Sequence, residues 1–67
     1  MNNSERDAIA SLVYDAGTSV KRAATRIEKT ILNDATPAQL PRLRHERTRL
    51  ISLARKLGES AEALLRL

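Results

Sequence analysis

The chain has 67 residues, a mass of 7.4 kDa, no cysteine, one histidine, a formal net charge of +4 and a pI near 10.4. A domain this small buries too little apolar surface for comfortable stability. Without cysteine it has neither disulfides nor thiolate metal ligands to staple it, and His45 alone cannot build a zinc site. Self-association is the staple that remains, so the composition predicts a homodimer.

Tyr14 is the single aromatic residue, and the apolar content of 42% is otherwise aliphatic, which suits helix-on-helix packing. The polar start, Met1 to Asp7, has no leader-like pattern, and no apolar run is long enough to span a bilayer. The expectation is a cytoplasmic protein that engages no membrane. Lysine and arginine together number 12 against 8 acids, mostly as arginine, a surplus that permits an anionic partner without requiring one.

A first helix is predicted over about residues 4–33. Ser4 suits the N-cap, with Glu5 and Asp7 in the first turn, where the helix dipole favours carboxylates. From there Ile9, Val13, Ala16, Val20, Ala23, Ile27 and Thr30 recur at steps of four and three, the spacing of a coiled-coil seam, with Leu12, Ala24 and Ile31 widening the stripe. Gly17 interrupts this helix with a residue that costs roughly 0.5–1 kcal/mol relative to alanine. The unbroken spacing of Val13, Ala16 and Val20 predicts that the helix runs through it. The alternative is a turn at Gly17 and a three-helix, helix-turn-helix chain, with Lys21, Arg22, Thr25 and Arg26 facing a DNA groove.

Asn33 to Pro41 holds both prolines and forms the corner. Thr36 suits an N-cap, Pro37 the first helical position and Gln39 the acceptor of a capping box, which predicts a turn over 33–37 and a second helix from about 37 to 65. If that helix begins at Pro41 instead, residues 37–40 form a short 3₁₀ turn. Leu40, Leu43, Leu50, Ala54, Leu57, Ala61 and Leu64 repeat the seam spacing, interrupted by Arg47, for which Glu28 on the facing arm is the expected partner. The predicted fold is therefore all-α: a two-helix antiparallel hairpin, dimerising into a four-helix bundle. Its expected core and dimer residues are Ile9, Val13, Val20, Ile27, Leu43, Leu50, Leu57 and Leu64.

The chain carries no cysteine nucleophile, Gly-rich phosphate loop or His/Asp/Glu group at metal spacing, so no enzyme, cofactor, metal or small-molecule substrate is expected. His45 reads as a solvated surface residue. Arg42, Arg49 and Lys56 repeat every seven residues and form one basic stripe, flanked by His45 and Arg55. Arginine forks match carboxylates and phosphates alike. Two binding roles follow from this. The first is docking on a partner protein whose activity the hairpin modulates, through Tyr14, Leu53, Arg42 and Arg49. The alternative is a nucleic-acid-binding regulator that contacts phosphates through Lys21, Arg22, Arg42, Arg49, Arg55 and Lys56.

In layout alone, a two-helix chain of this kind resembles the Rop type of plasmid copy-number regulator, whose hairpins pair into a four-helix bundle that binds an RNA complex. The resemblance implies an architecture and transfers no functional residue, because fold does not carry function.

Overall fold

The computed structural model describes residues 1–67 and contains two helices, α1 (Asn3–Asn33) and α2 (Leu40–Leu65), packed against each other with no strand. Gly17 lies against Ala54 and Leu57, and Glu28 lies against Arg47, so the helices run antiparallel. The resulting rod measures 51 × 14 × 11 Å.

The first helix starts two residues earlier than its Ser4 signal suggests. Asn2 is the cap: its side-chain Oδ1 accepts the Glu5 N–H at 2.8 Å, and its carbonyl accepts the Arg6 N–H at 3.0 Å. Asn2 thus satisfies donors that the first helical turn would otherwise leave open, and Ser4 lies within the helix.

Gly17 breaks nothing. α1 is continuous through it, no glycine has positive φ, and the three-helix alternative is ruled out. The glycine serves close approach instead. A Cβ built there would sit 3.3 Å from the Ala54 carbonyl oxygen and 3.3 Å from the Leu57 Cβ, so a bare backbone lets the helices meet.

At the corner, the Asp34 and Ala35 N–H groups both donate to the Thr30 carbonyl at 2.9 Å, closing α1. One tight turn follows. The Thr36 N–H donates to Gln39 Oε1 at 3.1 Å while the Gln39 N–H donates to the Thr36 carbonyl at 3.0 Å. Only the Gln39 half of the expected capping box forms, and regular helix begins at Leu40 rather than Pro37. Pro41 falls in the first turn of α2, where a missing N–H removes no intrahelical bond.

The buried seam of α1 differs from the predicted one. Ala10, Gly17 and Ala24 are buried and Val13, Val20, Ile27 and Ile31 half-buried, whereas Ile9 is 42% exposed and Ala16, Ala23 and Thr30 also face outward. The small residues set the closest contact, because only they let the helix axes approach. Large Ile9 cannot occupy that position. On α2 the expected residues Leu40, Leu43, Arg47, Leu50, Ala54, Leu57, Ala61 and Leu64 are all at least half-buried.

Ala10, Gly17, Ala24 and Ala61 are the four buried residues, and no large side chain is fully enclosed. The hairpin exposes 5264 Å². A compact monomer of this mass would expose about 4200 Å², so roughly 1000 Å² of surface is in excess.

Candidate interaction surfaces

The seven-residue repeat sorts each helix into stripes. Call a the positions of Ala10, Gly17, Ala24 and Ile31 on α1 and of Arg47, Ala54 and Ala61 on α2; d is then Val13, Val20 and Ile27, with Leu43, Leu50, Leu57 and Leu64. Small residues thus dominate a, apart from Ile31, Leu40 and Arg47, and from Val13 onward d is wholly branched aliphatic, with the half-buried Arg6, paired to Asp7, ahead of it at the open end of the hairpin. The two layers lie on opposite sides of the contact line, which gives the rod two unlike faces.

On the a side runs an open groove of about 720 Å³. Gly17, Ala24 and Ala54 form its floor. Tyr14, Lys21 and Glu28 line one wall and Arg47, Ile51 and Gly58 the other, with Thr18, Thr25 and Arg55 also bordering it. The Arg47 Nη1 donates to Glu28 Oε2 at 2.6 Å, with the two side chains 29% and 45% exposed, so this pair ties the helices together at the corner end of the groove. Tyr14 is 64% exposed and Ile51 is 54% exposed, so the groove offers an aromatic ring and an aliphatic side chain to a ligand.

On the d side, Val13, Val20, Ile27, Leu43, Leu50, Leu57 and Leu64 are each half-buried, their outer surfaces forming a continuous apolar strip. The flanking stripes are Ile9, Ala16, Ala23 and Thr30 on α1 and Glu46, Leu53, Ser60 and Leu67 on α2. Glu46 is the one charged member.

A smaller concavity lies on the outside of α2, formed by His45, Thr48, Arg49, Ser52, Leu53 and Lys56. Arg49 Nη1 reaches 3.9 Å from Glu46 Oε1, one helical turn away. Arg49, Lys56 and Leu53 are therefore neighbours, and Arg42 continues their basic stripe towards the corner. Tyr14 belongs to the other groove, so the four protein-contact residues divide between two surfaces. The nucleic-acid set divides further: Lys21 and Arg55 border the groove, Arg49 and Lys56 the concavity, and Arg22 sits on the outer side of α1.

The groove residues missed in the sequence are Thr18, Ile51 and Gly58, together with Gly17 and the seam residue Ala54 in their role as floor. A signal for them exists in the small residues at 10, 17 and 24 and the matching pair at 54 and 61. No group of His, Asp and Glu is placed to hold a metal ion, and no helix is long and apolar enough to cross a membrane. No family model, curated protein or solved structure matches the chain.

Proposed function

We propose that this chain is a non-enzymatic interaction protein: a homodimer of helical hairpins, forming a four-helix bundle, that binds a partner protein and modulates its activity. The observation that carries this reading is the set of large apolar side chains that the hairpin leaves exposed. A hairpin whose enclosed residues are three alanines and a glycine, and which leaves Ile9, Leu12, Tyr14, Ile51 and Leu53 substantially exposed, is built to be covered. The groove supplies the partner contact, with Tyr14 as a rigid amphipathic anchor at low entropic cost, Ile51 beside it, and Lys21 and Arg55 setting orientation through charge.

The test is photo-cross-linking from a benzophenone side chain at position 14 in native cells, followed by titration of the captured protein against the purified hairpin. Tyr14→Ala is expected to weaken that binding by about tenfold or more while helicity is retained. Cross-links to nothing but the chain itself would contradict the reading.

A nucleic-acid-binding role has one observation in its favour, the Arg42, Arg49 and Lys56 stripe along the outside of α2. Against it, the remaining cations are spread over separate surfaces, and Glu28 and Glu46 lie beside Arg47 and Arg49. Mobility shifts with RNA and DNA at low salt, abolished by Arg42→Glu with Arg49→Glu, would favour this second role over protein docking.

A further inference from the structure

We infer that a second copy of this chain covers the d face, and that the groove carrying Tyr14 stays open on the outside of the dimer. This rests on the homodimer reading above and assigns its interface.

Two observations point to the same face, and the total surface fits a second copy. Val13, Val20, Ile27, Leu43, Leu50, Leu57 and Leu64, the large branched residues of the seam, are all stranded half-buried on that side, so each has an outer surface without a neighbour. The hairpin buries its small residues inside and leaves its large ones at the edge, the reverse of a finished core. A partner on the d face would complete those layers.

The flanking stripes discriminate between the faces. Beside the d layer stand Ile9, Ala16, Ala23 and Leu53, small or aliphatic side chains with Glu46 as the sole charge. The equivalent stripes beside the groove mix the apolar Tyr14, Ile51 and Leu65 and the small Gly58 with four charges, Asp7, Lys21, Glu28 and Arg44. Interface centres are depleted in charge, and alanines at positions 16 and 23 allow another helix to approach closely.

The area agrees as well. The excess of roughly 1000 Å² per chain matches the about 800 Å² that each partner loses in a standard-size interface, and two chains together reach the range of obligate homodimers. A self-complementary two-fold contact needs no other molecule to supply this area. The rod, 51 Å long, presents the d face along its length, as parallel or antiparallel hairpins in a bundle require.

The absence of native cysteine makes the assignment testable by thiol footprinting. Single-cysteine variants Ala23→Cys on the d side and Thr25→Cys on the groove side both replace exposed residues of the hairpin. Alkylation rates are measured on the full chain alongside sedimentation equilibrium and helicity. The expected result is a mass twice that of one chain, a thiol at position 23 modified at least about tenfold more slowly than in denaturant, and a thiol at position 25 modified at the free rate. A dimer with position 25 protected and position 23 open overturns the face assignment and leaves the homodimer standing. Protection at both positions overturns the open groove. A helical monomer with both thiols free overturns the homodimer and the assignment together.

Discussion

Arg47 Nη1 and Glu28 Oε2 meet at 2.6 Å across the hairpin, joining residues nineteen apart in sequence and placing a charge in the only polar a layer of α2. Both side chains keep contact with water, so the pair belongs to the class of part-exposed ion pairs worth about 0.2–1 kcal/mol. Its larger effect is on register, because sliding one helix past the other by a turn would strand Arg47 against an alanine layer.

Glu28→Gln is accordingly expected to lower stability by less than about 1 kcal/mol, and a double-mutant cycle with Arg47 should return a coupling of the same size. Arg47→Met replaces the charge with an apolar side chain of similar length. It should raise the melting temperature while broadening the distribution of oligomers seen in sedimentation, since the register constraint is removed.

The two glycines should respond unequally to the same change. Gly58 has nothing within 4 Å of a built Cβ, so Gly58→Ala should stabilise the chain by about 0.5–1 kcal/mol through helix propensity. Gly17→Ala gains the same propensity but presses on the Ala54 carbonyl and the Leu57 Cβ, both fixed to the α2 backbone. It should fall below Gly58→Ala in stability, and Gly17→Leu should destabilise by about 1–3 kcal/mol by forcing the helices apart. Denaturant melts of the three variants check the order.

Cap placement predicts a contrast at the N-terminus. Asn2→Ala removes the side-chain acceptor of the Glu5 N–H and should cost about 0.5–2 kcal/mol, read as lost amide protection in the first turn. Ser4→Ala should be neutral, because its side chain caps nothing.

Salt separates self-association from nucleic-acid binding. Each chain carries a net +4, so pairing two copies brings like charge together and the dimer should tighten modestly as salt rises. Binding to nucleic acid through Arg42, Arg49 and Lys56 would instead weaken steeply. Sedimentation and mobility shifts over one salt series read both.

Much of this fold was legible from side-chain spacing. On α2 the leucines of the seam are large and regularly placed, so Leu43, Leu50 and Leu57 had no competing phase, and the isolated charge of Arg47 pointed to Glu28. α1 was harder to phase because Val13, Val20 and Ile27 fit two seams at once. Pairing them with Ile9, Ala16 and Ala23 gives one apolar stripe, and pairing them with Ala10, Gly17 and Ala24 gives another. Hydrophobicity favours the first, whereas the hairpin packs through the second, because close approach rewards the absence of a side chain and Gly17 adds no apolar weight to a pattern. The stripe read from hydrophobicity is the edge of the face assigned here to a second copy. The groove went unread for the same reason: its floor consists of what Gly17, Ala24 and Ala54 lack.

On the function proposed above, this hairpin is finished only by a second copy of itself. Thermal unfolding followed by circular dichroism, over about a hundredfold range of protein concentration, tests it most directly. A homodimer should show a melting temperature that climbs with concentration, and loss of helix on dilution as the copies separate. A melting temperature independent of concentration, with full helicity in a particle of 7.4 kDa, would contradict it.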